Sequence, residues 1–272
     1  LVAVLMRDVL KIKDIWSCLF VQSMVSITVI VFMRSAIEGF FWYNSAVHYT
    51  AMHSFGILYV ASLIKLVYAN GKVKTGVFLA LNIFLAFIIG GVNNITVLQV
   101  GLVMLSIVFF GIIFKKKRVW FLTPVMVCYA VAMYFNLNAP GNEKRAALYV
   151  GMKLSPLEAV LRSFESAITY FDDFTGWMTY AIVFFMLPIA FAIIKKTKFE
   201  FKYPLLIFVW SFCLYATGFT PTLYMMGHTL LGRATNMAKV TFQLLLFINL
   251  FYFIGWLCRV LKNKRNTICL KI

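Results

Sequence analysis

Of 272 residues, 62% are hydrophobic and 13% charged, a balance that excludes a water-soluble domain, whose surface must be largely polar. A formal net charge of +17 would suit a nucleic-acid binder, but the basic residues sit in short blocks between long apolar runs, which excludes that reading. Five cysteines, Cys18, Cys128, Cys213, Cys258 and Cys269, lack ligand-like spacing and read as small apolar residues rather than disulfides or a metal site.

In chain order, apolar runs at 15–33, 45–68, 75–92, 95–114, 119–136, 176–194, 203–220 and 236–257 are each close to the roughly 20 residues that a bilayer core demands. Short segments of alternating polarity, the mark of a transmembrane barrel, are absent from the sequence. The expected fold is all-α, a single polytopic transmembrane helical bundle over 1–272 with about eight spans. With the N-terminus in the cytoplasm, 19 of the 26 Lys and Arg fall on the inner side, in staples such as Lys115–Arg118 and Lys195–Lys198. The outer side holds six of the nine acids. By the positive-inside rule both ends of the chain are expected to be cytoplasmic.

The first outward connection carries Arg34 and Glu38. One helical turn apart, they suit a surface ion pair, or Glu38 serves as a general base. Trp42, Tyr43 and Tyr49 follow. Their rings can stack on a sugar, or belong to an interfacial aromatic belt. His48, one turn into the next span, faces either a cavity or a hydrogen-bonded interior. The second outward connection is GGVNNIT, 90–96.

The third, 137–175, is the one long loop, and it opens with APGNEKRA, 139–146. Pro140 and Gly141 make a turn, Asn142 can cap the segment that follows, and Arg145 lies one turn into it. A guanidinium beside free backbone N–H groups is suited to phosphate, the alternative being an arginine that snorkels to lipid headgroups. Ser155-Pro156-Leu157-Glu158 is a capping box. Behind it Leu157, Val160, Leu161, Phe164, Ile168 and Phe171 recur at helical spacing, opposite Arg162, Glu165, Ser166 and Thr169. The pattern predicts an amphipathic helix that lies in the external interface or packs on the bundle. Tyr170, Phe171, Phe174 and Trp177 are expected to anchor it at the membrane boundary, with Asp172 and Asp173 at a solvated end. In the fourth outward connection, GFTPTLYMMGHTLLGRATN, 218–236, Gly232 allows close backbone approach beside Arg233 and Asn236.

The order FFWYNSAVHYT, GGVNNIT, APGNEKRA and FTPTLYMMG…GR.TN resembles a family of multi-spanning bacterial proteins, domain-of-unknown-function family 6056, over residues 37–240. Members look like GT-C glycosyltransferases, which use a polyprenyl-phosphate sugar at the outer membrane face. The resemblance implies a bacterial cell membrane, an external active face, and a sugar passed from the lipid carrier to a cell-surface glycan or other external acceptor. Partners would be membrane lipid and lipid-linked sugar rather than nucleic acid. Taken with the reading of the residues, Asn142, Arg145, Arg233, Asn236, Trp42 and Tyr49 are the expected substrate-binding residues and Glu38 the catalytic carboxylate that this chain offers, with no cofactor evident and a divalent metal left open. GT-C enzymes also place an acid in an earlier external loop, so an N-terminal part of the family pattern is expected to lie outside these residues. A flippase for a lipid-linked glycan, a polysaccharide polymerase or ligase, and a non-catalytic remnant stay open beside it.

Overall fold

The structure, a computed structural model, describes residues 1–229 and 232–269, with the side chains of all these except 145, 146 and 263–269. Among them every regular element is helical. In chain order they include α1 Ile15–Val31, α2 Tyr43–Tyr68, α3 Lys72–Gly90, α4 Asn94–Ile113, α5 Lys117–Leu137, α6 Pro140–Ala147, α7 Pro156–Phe174, α8 Trp177–Ile194, α9 Pro204–Ala216, α10 Thr220–Met226 and α11 Gly232–Cys269. Among the described residues seven runs are long and apolar enough to cross a membrane, with α9 and α10 counted as one and α11 contributing Gly232–Lys262. At 17 residues, α1 stands at the short limit for a crossing. The all-α polytopic bundle is therefore the fold.

Local chemistry sets the helix starts. Asp14 caps α1 by accepting from the Trp16 N–H at 3.1 Å, and Asn93 caps α4 by accepting from Thr96 N–H at 3.0 Å. Ser155 caps α7 through Glu158 N–H, with Pro156 at the first position, as the capping box predicts. Pro204 opens α9 in the same way.

The polar contacts between connections gather at two ends. At the basic end, Lys65 pairs with Asp8 (3.2 Å) and Lys196 with Asp14 (3.0 Å). At the loop end, Arg34 pairs with Asp173 (3.0 Å), and Asn93 donates to the His48 carbonyl (2.8 Å). Two halves share the bundle. Helices α2 to α5 enclose one core around Tyr59, Leu63, Leu66 and Leu122, and α1 and α8 pack with α11 around another. A third core, around Phe174, Tyr215 and Phe242, ties α7, α9 and α10 to α11. The seam between the halves is walled by α2 and α4 on one side and α11 and α9 on the other.

The amphipathic helix α7 packs on α9 and α10. Its buried face is a row of small residues, Ala159, Ser163 and Ala167, while Leu157, Leu161 and Ile168 point outward. The aromatic anchor is divided. Trp177 is exposed, but Phe174 is buried in the third core and Tyr170 stacks on Phe219 at 5.1 Å. Those two rings fix α7 to the bundle instead of meeting lipid.

Candidate functional site

The helical hydrogen-bonding pattern ends after α1. Residues 33–35 are irregular, with a bend at Arg34, and are followed by one π-helical turn, Ile37–Phe41, and by Trp42 in an extended conformation. A second π-helical stretch, Ala46–Ala51, follows within α2. Such wide turns shift the angular position of every residue in them and recur at functional sites. Here they turn Glu38, Trp42 and Tyr49 toward the start of α11.

Asn236 holds that arrangement. Its side chain accepts from the Ser35 N–H and donates to the Ser35 carbonyl, both at 2.9 Å. Gly39 permits the approach, since a Cβ there would meet Asn236 Nδ2 at 3.3 Å and Met33 Sδ at 2.0 Å. The Glu38 carboxylate then rests on the first turn of α11. A Cβ on Gly232 would lie 2.7 Å from Glu38 Oε2, so glycine makes room for it. A negative charge at a helix N-terminus is favoured by the helix dipole.

Arg233, the next residue, lies over two rings, its guanidinium 5.4 Å from the centroids of both Trp42 and Tyr49. That distance suits cation–π attraction. Glu38 Oε2 and Arg233 Nε are each buried without a hydrogen-bond partner. Leaving a buried polar atom unpaired typically costs about 1–3 kcal/mol. A carboxylate and a guanidinium at the same helix start, each with one buried atom that its neighbours leave unbonded, form an arrangement able to receive a ligand with both a hydroxyl and an anionic group.

Beside this pair is a second charged group. Arg34 bonds Asp173 and lies over the Tyr170 ring at 4.9 Å, and Thr229 donates to the Tyr170 hydroxyl at 3.3 Å. With Glu165, Ser166 and Thr169 they line a polar cleft of about 400 Å³.

Five of the seven candidate residues, Glu38, Trp42, Tyr49, Arg233 and Asn236, thus meet at one place. Asn142 does not join them by any hydrogen bond among the described residues. It donates to the Asn136 and Leu137 carbonyls at 2.7 and 3.3 Å, closing the end of α5 rather than capping the segment after it. The Arg145 side chain lies outside the described residues, although the helix expected there, α6, is present. The Arg34–Glu38 ion pair does not form. The irregular stretch at 33–35 breaks the helical register that would align them, and Arg34 reaches Asp173 instead. Asp173 is consequently a partner of Arg34 and not merely a solvated helix end. His48 is exposed and not part of a buried, hydrogen-bonded interior.

The buried histidine is His53, which the reading by motifs passed over. Its Nδ1 lies 3.1 Å from Thr96 Oγ1 and its Nε2 3.2 Å from Thr241 Oγ1. Thr241 donates to Gln99 Oε1 at 2.9 Å, and Gln99 Nε2 donates to the Leu214 carbonyl at 3.3 Å. With its one proton given to Gln99, Thr241 must accept from His53, which places the imidazole proton on Nε2. Thr96 then donates to Nδ1, a better acceptor than the nearby Met237 sulfur at 3.9 Å. This chain crosses α4, α2, α11 and α9 in the middle of the seam. A polar residue four positions after Tyr49 within an apolar run was the available signal.

Among the described residues, no group of three or more His, Cys, Asp or Glu is placed to hold a metal ion. Comparison of the chain with family models, with curated proteins and with solved structures returned no match.

Proposed function

We propose that this multi-pass membrane protein is a glycosyltransferase that moves a sugar from a polyprenyl-phosphate carrier to an external acceptor. The observation that carries the reading is that Glu38 and Arg233, 195 positions apart in sequence, both lie at the start of α11, each with a buried polar atom that has no hydrogen-bond partner. The lipid carrier and the sugar come from the four-motif resemblance, and the 19-to-7 charge split supports the loop end as the external face. The bacterial cell membrane as its location belongs to the same proposal.

In the reaction, Glu38 takes the proton of an acceptor hydroxyl. The hydroxyl oxygen attacks the anomeric carbon from the face opposite the lipid phosphate. The bond from that carbon to the phosphate oxygen breaks, its electron pair leaves with the phosphate, and the configuration inverts. Arg233, held by Trp42 and Tyr49, offsets the charge that builds on the departing phosphate. Asn236 acts indirectly, by fixing Ser35 and hence the turn that bears Glu38.

The test is transfer from a polyprenyl-phosphate sugar in membranes containing the full-length protein. Arg233→Ala is expected to reduce turnover about 10²–10³-fold, and Glu38→Gln about 10²–10⁴-fold. Wild-type turnover in either variant removes that residue from the mechanism.

A flippase for a lipid-linked glycan is the second reading, favoured by the polar chain around His53 within the same seam, since polar groups inside spans often mark translocation paths. Movement of a labelled carrier across vesicles without sugar transfer would select it.

A further inference from the structure

Beyond the His53 chain the seam widens into a cavity of about 980 Å³, at the upper end of the roughly 300–1,000 Å³ usual for ligand sites. It begins at His53, Gln99 and Thr241 and follows α2, α4, α9 and α11 to the basic end. The walls are apolar, formed by residues such as Ile64, Val103, Ile107, Leu206, Leu244 and Ile248. From His53 to Tyr68, both of which line it, α2 rises about 22 Å. That exceeds the roughly 15 Å of half a bilayer core, so an extended acyl chain fits lengthwise.

The basic end of this groove is lined by Lys11, Lys116, Lys198 and Lys202. Lys202 is paired with Glu200. Lys11 lies over the Tyr68 ring at 4.9 Å, and among the described residues none of Lys11, Lys116 and Lys198 has a carboxylate partner. The backbone around them is unusual as well. The described non-glycine residues with positive φ are Lys11, Lys115, Phe201 and Tyr203, all at this end, and three of them line the groove. Left-handed conformations at such residues are costly and persist where the surrounding structure imposes them.

We propose that this groove binds one anionic glycerophospholipid from the leaflet at the basic end, an acyl chain between the halves and the phosphate against Lys11, Lys116 and Lys198. Apolar walls exclude a polar ligand, and three uncompensated ammonium groups call for a negative headgroup, as basic pockets between spans do generally. Ile95, Ala234 and Met237 form a separate apolar layer next to Tyr49, and neither Glu38 nor Arg233 lines the groove. The lipid is therefore distinct from any carrier held at the loop end, and the proposal does not rest on sugar transfer.

Trp210 provides the test, since it lines the groove and donates to Ser106 at 2.9 Å. The full chain is reconstituted in neutral vesicles with a small fraction of lipid carrying brominated acyl chains, either anionic or neutral in headgroup. Fluorescence quenching of Trp210 is isolated by difference from Trp210→Phe. Trp120, 68% exposed on the outside of the same end, is isolated with Trp120→Phe as the control for ordinary surrounding lipid. The expected result is quenching of Trp210 by the anionic lipid with an apparent preference on the order of tenfold, and no such preference at Trp120. Replacing Lys11, Lys116 and Lys198 together by Gln should reduce it several-fold. Val103→Phe, which fills the groove and leaves the charges in place, should abolish it. Equal preference at Trp120, none at Trp210, an undiminished preference in the lysine variant, or a preference that survives Val103→Phe overturns the proposal.

Discussion

His53 and Thr241 illustrate how one side chain can tie distant parts of a membrane bundle together. In an apolar interior the value of a hydrogen bond lies chiefly in the cost of leaving its partners unmade. The chain from Thr96 to Leu214 has a single consistent direction, each group donating its own hydrogen to the next and leaving its acceptor to the one before. Thr241→Val keeps the shape, removes the hydroxyl and leaves both His53 Nε2 and Gln99 Oε1 without their partner. It is expected to cost about 0.6–2 kcal/mol, the range for interhelical hydrogen bonds in membranes, read as a lower thermal midpoint in detergent. Thr241→Ser should restore most of the loss. Equal losses in both would assign the effect to the methyl group rather than to the hydroxyl.

At the scale of elements, α7 had two destinations open to it, and packing on the bundle is what the structure contains. The deciding feature is the stripe of Ala159, Ser163 and Ala167, spaced one turn apart, which lets the helix axis approach α9 and α10 closely. Larger residues on either side then face outward, and Phe174 enters the third core. Ala167 is completely buried, so Ala167→Leu has no room. Overpacking of this kind costs about 1–3 kcal/mol. The expected readout is a lower thermal midpoint together with faster proteolysis of the 148–155 connection, whereas Ile168→Ala, on the exposed face, should change neither. The π-helical turns at 37–41 and 46–51 act at the same scale, for without them Glu38 and Tyr49 would occupy other faces of their segments.

Considered whole, the molecule is two helical halves joined along one seam, with charged groups at the loop end, a polar chain in the middle and a lysine-lined groove at the basic end. Links outside the seam hold the second half together. Asp14 caps α1, accepts from Ser17 Oγ at 2.6 Å and pairs with Lys196 in the α8–α9 connection. The Ser17 hydrogen bond, and then Lys196, hold its carboxyl well below the usual carboxylate range. A lowered folded-state pKa contributes stability that is complete above the unfolded value of about 3.9 and is lost as pH falls through the folded value. Asp14→Asn should therefore lower the thermal midpoint at neutral pH, and its gap from wild type should narrow as pH drops below about 4. A gap that stays constant down to strongly acidic pH would show that the charge contributes nothing.

What could be read from the chain by itself was the fold class, the order of the spans, the cap at Ser155, and the two-ended division of charge. These follow from local rules: a bilayer thickness, a 3.6-residue period and the hydrogen-bonding habits of short polar side chains. That Trp42, Tyr49, Arg233, Asn236 and Glu38 share one end was also legible, because they are polar or aromatic residues at span ends that alternation assigns to one side. Their meeting was not legible, since it depends on a helix break at 33–35 that has no proline or glycine to announce it and on Gly39 and Gly232 facing particular neighbours. Arg34 and Asp173 were misassigned for the same reason: a partner 139 residues away leaves no trace in local spacing. His53 and the groove required the packed halves, because one polar residue in an apolar run acquires meaning only from the helices that surround it.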